Sequence, residues 1–269
     1  RLLIAGIIIF FTAFYFYLIC RGCPTNNRSA HFSILCSHTA DTTVLKREFG
    51  KFPFFFPAAI SHGYGIELDV HLSTDGKLVV FHDDDLSRIC GRPEAVEVLP
   101  SKELQRCRLQ DTTETIPFSE VLSLVDGQVP LLIELKIPKS SLSICEKTWE
   151  ALKNYNGPYM VQSFNTLGIW WFRRHAPHVL RGQLSSNLTA DNLPEPWILT
   201  FIVKHLLGNV LGRPDLSDKL ADLPRFEVWF LKHILHLPIA VWTLRTPDAL
   251  KKGTLSYDMQ IFEKKKMYY

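Results

Sequence analysis

Beyond residue 60, short apolar runs alternate with longer stretches that carry apolar residues on one helical face. GIELDV (65–70), KLVVFH (77–82), VPLLIELK (129–136), PYMVQSF (158–164), HVLRGQL (178–184) and LPIAVWTL (237–244) read as strands. Most of them are apolar on both faces, as expected of a parallel sheet covered by helices. Between several of them lie amphipathic stretches such as Ser119–Val125 and Ile144–Asn154. Alternation of this kind predicts a parallel α/β fold. No glycine-rich phosphate loop follows the first strands, which argues against a nucleotide-binding doubly wound sheet. The expected architecture is a closed (β/α)8 TIM barrel, which takes about 250 residues and so fits one domain.

The opening segment has a different pattern. From Leu2 to Cys20 no side chain is charged, and as a helix this run rises about 28 Å, close to the thickness of a hydrocarbon core. It is longer than a signal-peptide core and no A-x-A cleavage site follows. The expectation is an uncleaved transmembrane helix over residues 1–21, a polar linker over 22–30 (GCPTNNRSA) and a barrel domain over 31–269. The protein is then a single-pass membrane protein contacting lipid through its N-terminal helix, with the side facing the barrel left open by the flanking Arg1, Arg21 and Arg28.

Composition narrows the function classes. A hydrophobic fraction of 46% with 21% charged residues supports a sizeable core, and a net charge of +3 with scattered Lys and Arg gives no basic stripe. Nucleic acid is therefore not an expected partner. The six cysteines, Cys20, Cys23, Cys36, Cys90, Cys107 and Cys145, show no repeated spacing, and are read as unpaired, mostly packed thiols. The basic Lys264–Lys266 tail reads as a solvated terminus.

Polar residues collect where the apolar runs end, which in such a barrel is the rim that carries active sites. Glu67 and Asp69, two apart on a strand, point to the same face. Glu134, from another run, adds a third carboxylate. Acids converging in an apolar setting repel unless a cation or a proton separates them, and an all-oxygen donor set suits Mg²⁺ or Ca²⁺ rather than Zn²⁺. The alternative is that one acid is solvated or pairs with Lys136. With a cation bound, Lys136 can neutralise a phosphate oxygen, and His82, in the FHDDD stretch right after the LVV run, can exchange a proton with an attacking or departing oxygen. Asp83, Asp84 and Asp85 read as turn and helix-capping residues.

Taken together, GYGIELDVHLSTDGKLVVFHDDDLSRICG (63–91), LLIELK (131–136), YMVQSFN (159–165), LRGQL (180–184) and AVWTLRTPDAL (240–250) resemble, in order, the motifs of the glycerophosphodiester phosphodiesterase family, in particular its bacterial membrane-anchored type. The resemblance covers residues 56–264. It implies a barrel of the phospholipase C-like phosphodiesterase type, a Ca²⁺ or Mg²⁺ ion, and hydrolysis of glycerophosphodiesters to glycerol 3-phosphate and an alcohol. By position it implies Glu67, Asp69 and Glu134 as metal ligands, His82 and His38 as catalytic histidines, Lys136 as a phosphate contact and Trp242 as an aromatic at the pocket wall. Two other readings remain: a catalytically impaired barrel that binds phosphodiesters or partners at the membrane, and a phospholipase D-like hydrolase of lysolipids.

The first motif departs from the family. The family's first strand ends in His-Arg-Gly, followed by Glu-Asn; here Thr39 follows His38, and Gly50 and Lys51 stand in the Glu-Asn region. Codons permitted for Ser37–Asp41, read from their third bases, include an Ala-His-Arg-Gly string. Those for Gly50–Phe56, read from the second base, include Glu-Asn-Ser-Leu-Ser-Ser-Phe. A pair of compensating frameshifts accounts for both departures. The chain as written lacks the family's arginine, and low activity is expected of it. FPFFFP (52–57) is also a poor start for a barrel helix, because Pro53 and Pro57 interrupt the hydrogen-bond ladder.

Overall fold

The computed structural model describes residues 6, 9–10, 12–14, 43–46, 55–109, 112–113, 115–138, 141–185, 208–217 and 226–262. In chain order the elements are β1 (Thr43–Lys46), α1 (Phe55–Ser61), β2 (Gly65–Leu72), β3 (Leu78–Val80), α2 (Ser87–Cys90), α3 (Ser101–Leu104), β4 (Arg108–Leu109), β5 (Thr112–Thr113), β6 (Ile116–Pro117), α4 (Phe118–Val125), β7 (Leu131–Leu135), α5 (Ser143–Leu152), β8 (Tyr159–Ser163), α6 (Thr166–His175), β9 (Leu180–Gln183), α7 (Asn209–Gly212), β10 (Leu216–Ser217), α8 (Phe226–His233), β11 (Ala240–Leu244), α9 (Pro247–Ser256) and β12 (Met259–Phe262).

Eight of these strands run parallel in the order β10-β9-β8-β7-β2-β1-β12-β11, the neighbour order of a (β/α)8 barrel. Closure is the point of difference from expectation. Among the described residues no ladder joins β10 to β11, and β10 contributes only two residues to its pairing with β9. The KLVVFH run also departs from expectation. Its strand, β3, is antiparallel to β2, with Val70 opposite Val80 and Leu72 opposite Leu78, and also pairs with β6. An apolar triplet fixes that a strand is buried but not which way it runs, and the Ser73–Gly76 turn sends this one back along its neighbour.

Period-two alternation separates two cores. On β2, Ile66, Leu68 and Val70 face outward into the main cluster. They meet Leu131, Ile133 and Leu135 of β7, Val161 of β8 and helix residues such as Phe118, Val121, Ile144 and Phe172. The opposite faces of the strands give an interior cluster of Leu132, Met160, Leu180, Ala240, Met259 and Ile261, with Trp242 against it. The interior is thus filled by aliphatic side chains at its base, leaving polar positions only at the strand ends. Helix starts follow local chemistry: Asn165 caps α6 by accepting from the Leu167 N–H, and Thr246 caps α9 by accepting from the Ala249 N–H. Helix α1 begins at Phe55 despite the flanking prolines, because Pro57 falls in its first turn, where a missing N–H costs nothing.

The transmembrane expectation is corrected. Among the described residues no helix is long and apolar enough to cross a membrane, and the single-pass membrane localisation read from residues 2–20 is not supported. Residues 6, 9–10 and 12–14 of this run are described, and they are helical; the rest of the run lies outside the described residues. The linker over 22–30 and the Lys264–Lys266 tail lie outside the described residues. The cysteine reading is corrected as well. Cys90 and Cys107 form a disulfide with their Cα atoms 6.0 Å apart, whereas Cys145 is a buried free thiol that burial pushes up to about 12. The pair is brought together by the fold between β3 and β6, and a separation of 17 residues matches no spacing motif.

Candidate active site

Strand register assembles the site. Asp69 on β2 lies opposite Glu134 on β7, Glu134 opposite Gln162 on β8, and Gln162 opposite Gly182 on β9. One interior row therefore holds two acids, an amide and a position without a side chain. The row beneath it runs Glu67, Leu132, Met160, Leu180, so the carboxylates sit directly on the apolar filling. Gly182 is what gives Gln162 room. A Cβ there would lie 2.9 Å from Met160 Cε and 3.1 Å from Gln162 Cβ.

The three acids converge as the sequence implied. Glu67, Asp69 and Glu134 are 1%, 4% and 4% exposed, and each offers a carboxylate oxygen within 4.8 Å of the others. Lys136 Nζ reaches this group, 3.0 Å from Asp69 Oδ1 and 2.6 Å from Glu134 Oε1. Burial by itself pulls this ammonium's pKa down, but the Asp69 and Glu134 charges outweigh it and hold it well above the ordinary lysine value. Lys136 thus pairs with two of the three buried carboxylates, the arrangement the sequence offered as the alternative to a bound cation. Hard, all-oxygen donors fit a divalent ion of the Ca²⁺ or Mg²⁺ type, and those three residues would hold it.

His82 arrives by the hairpin rather than from a barrel strand. Because β3 returns antiparallel, Phe81 N–H donates to Asp69 O at 3.1 Å, which brings the next residue back to the level of the acids. The imidazole Nδ1 lies 2.8 Å from Asp83 Oδ1, and Arg88 grips the same carboxylate through Nε and Nη2 at 2.8 and 2.9 Å. Burial alone would raise the Asp83 pKa. The hydrogen bonds from His82 and Arg88 overcome it and hold the carboxyl at about 2. A permanent carboxylate at Nδ1 keeps the proton there, which makes Nε2 the basic ring nitrogen. Asp85 accepts from the Ser87 N–H at 2.8 Å, a turn contact just ahead of α2, whose N-cap is Leu86.

Trp242, on β11, packs against the interior cluster and meets Phe164 edge-on at 5.9 Å between ring centroids. His38 lies outside the described residues. In the described strand Thr43–Lys46, the register puts Lys46 opposite Glu67. One residue of the site's surroundings was not anticipated. His71, fully buried, continues the Glu67-Asp69 face by two residues and its Nδ1 lies 2.6 Å from Glu97 Oε1. The period-two pattern of GIELDVH carried that signal, but the glutamate partner is 26 residues away.

The glycerophosphoryl diester phosphodiesterase family model matches residues 55–264. The chain belongs to this family. Among curated relatives, a glycerophosphodiester phosphodiesterase of Bacillus altitudinis is 28% identical over 160 residues, covering 55% of this chain and 64% of the relative. One from Caldanaerobacter subterraneus is 31% identical over 145 residues, covering 49% and 58%. The matched stretch thus spans less than two thirds of these relatives' own length. Phosphodiesterases of known structure share the fold. A phosphodiesterase of Oleispira antarctica, solved with the product sn-glycerol-3-phosphate, superposes with a TM-score of 0.65 at 21% identity over 87% of this chain and 94% of its own. The Thermotoga maritima glycerophosphodiester phosphodiesterase gives 0.61 at 23% identity over 84% and 95%. These likenesses support the TIM-barrel-like architecture despite the missing β10–β11 ladder.

Proposed function

We propose that this chain is a phosphoric diester hydrolase that cleaves glycerophosphodiesters to glycerol 3-phosphate and an alcohol, with Ca²⁺ or Mg²⁺ held by Glu67, Asp69 and Glu134. The observation that carries the reading is the cluster of three buried carboxylates at one end of the sheet, with oxygens within 4.8 Å of one another. When bound, such a cation supplies charge to the phosphoryl oxygens and polarises phosphorus.

The protein's own groups do the rest. The Lys136 ammonium is placed to bind a non-bridging phosphate oxygen as negative charge grows there. His82, with its Nδ1 proton directed at Asp83, uses Nε2 to transfer a proton to the departing alkoxide or from the attacking water. The Trp242–Phe164 corner gives the apolar wall against which a glycerol or alcohol group packs. Water adds to phosphorus, the ester oxygen leaves with a proton, and the phosphomonoester remains.

The test is release of choline and glycerol 3-phosphate from glycerophosphocholine with Ca²⁺, with Mg²⁺ and with chelator. Turnover is expected only with a cation and is lost in Glu67→Ala. Hydrolysis that persists in chelator or in that variant overturns the assignment. Faster turnover of lysophosphatidylcholine than of glycerophosphocholine would instead assign the site to lysolipids.

A further inference from the structure

The segment between β3 and β6 has a small core of its own: Val79, Phe81, Leu86, Val96, Leu99, Leu104 and Cys107, with Cys90 packed beside it. Its helices are one turn long, too short to persist without outside support. Helix α2 nevertheless carries the residue that fixes the histidine. Arg88, two positions before Cys90, holds both oxygens of Asp83, and Asp83 holds His82 Nδ1. The Arg88 side chain is 56% exposed. An ion pair this wet gains little if its long side chain must be ordered at the moment of pairing. It persists where the backbone beneath it is already fixed, and the disulfide from Cys90 to Cys107, 17 residues on, fixes the end of α2.

We infer that the Cys90–Cys107 bond positions His82 through Arg88 and Asp83, so that hydrolysis depends on whether this bond is closed. The inference rests on the phosphodiesterase reading of the site. Opening requires a dithiol reductant. Its thiolate attacks one cysteine sulfur and displaces the other as a thiolate. Its second thiol then resolves the mixed disulfide. Two electrons and two protons pass to the cysteines and the reductant leaves as a cyclic disulfide. With Cys90 released, α2 loses its tether and the Arg88–Asp83 clamp loosens, while Glu67, Asp69 and Glu134, on β2 and β7, keep their place. Arg88 and the disulfide are positioning elements; neither touches the reacting atoms.

The experiment compares oxidised and dithiothreitol-reduced full chain, with thiols counted by mass after alkylation, on glycerophosphocholine with saturating Ca²⁺. Reduction is expected to lower kcat about tenfold, part of the about 10²–10⁴ that a positioned acid–base group contributes. KM should change by less than about twofold, since ground-state binding is untouched, and reoxidation should restore kcat. Arg88→Ala should be slow in both states and insensitive to reductant, because the link it removes is the one the disulfide acts through. Equal kcat in the two redox states overturns the inference. So does a reductant effect in Arg88→Ala as large as in the parent, or the absence of a Cys90–Cys107 bond in the oxidised protein. A chain that hydrolyses nothing overturns the phosphodiesterase reading alone. The His82 ring ¹⁵N resonances then decide the positioning claim: a shift on reduction supports it and unchanged resonances sink it.

Discussion

Replacing Lys136 with methionine should make the stability of the protein depend on divalent cations far more than it does in the parent. The side chain keeps its length and loses its charge. In the parent, Nζ lies 3.0 Å from Asp69 and 2.6 Å from Glu134, attractions of about 5–6 kcal/mol each at an effective dielectric of about 20. The carboxylate oxygens, within 4.8 Å of one another, repel by at least about 3 kcal/mol per pair on the same scale. Desolvation removes much of the gross attraction, and deletion of one partner from a buried ionic cluster costs about 3–5 kcal/mol net. For a domain of this size that is a loss of roughly 6–20 °C in melting temperature. Melting is followed by circular dichroism at pH 7 in chelator and in millimolar Ca²⁺ or Mg²⁺. In chelator the variant should show the full loss. In the variant, a cation at about 100 times its dissociation constant should return about 2.7 kcal/mol, more than the parent gains at the same cation concentration, because in the parent Lys136 opposes the cation's charge and weakens its binding. Equal losses with and without cation would refute the reasoning, because the lysine would then be serving packing and not the charge of the acid cluster. So would a variant that melts with the parent in chelator.

Glu134→Gln should lower kcat/KM on glycerophosphocholine by about 10²-fold or more and weaken calcium binding measured by calorimetry, while leaving the melting temperature in chelator unchanged or raised. Stability should also fall with acid through Asp83. Its folded pKa of about 2 lies below the ordinary 3.8, so its contribution is complete above about pH 4 and is lost as pH falls through 2. That contribution is about 2 kcal/mol, and Asp83→Asn should remove that part of the acid-unfolding curve. Gly182→Ala, which places a methyl 2.9 Å from Met160 and 3.1 Å from Gln162, should cost about 1–3 kcal/mol in urea unfolding and lower turnover by displacing the amide beside Glu134.

The parts of this site that were legible in the sequence are those fixed by short-range periodicity. Glu67 and Asp69 had to share a face because a strand repeats every two residues, and the apolar Ile66, Leu68 and Val70 between them had to face the helices. Glu134 followed from its place at the end of a second buried run. What depended on register was not legible. The row Asp69, Glu134, Gln162, Gly182 exists because four strands align at one level, and no property of LRGQL announces that its glycine makes room for a glutamine two strands from the first acid. Direction was equally hidden: LVV reads the same in a parallel or an antiparallel strand, and only the Ser73–Gly76 turn decides it. The disulfide, the His71–Glu97 contact and the Lys46–Glu67 register all join residues 17 to 26 apart in sequence. The charge-free N-terminal run is the opposite case, a strong local signal that no helix among the described residues matches as a membrane span.

The same alternation that made the site readable also sets its physical tension. Each strand that presents an acid inward presents aliphatic side chains outward: Ile66, Leu68 and Val70 on β2, and Leu131, Ile133 and Leu135 on β7, all 1% exposed or less. Burying such side chains stabilises the fold by about 1.5–3 kcal/mol each, and that outward face holds the strands in register against the repulsion inside. A fold stabilised from its outer layer can keep three carboxylates over an apolar floor of Leu132, Met160 and Leu180 without hydrating them. Their mutual repulsion is then relieved by a proton or by positive charge, first the Lys136 ammonium and, in the function proposed above, a divalent cation. On that proposal, cation binding is a consequence of where the aliphatic residues lie. Weakening the outer layer, for example through Ile133→Ala, should loosen cation binding even though the substituted side chain points away from the site.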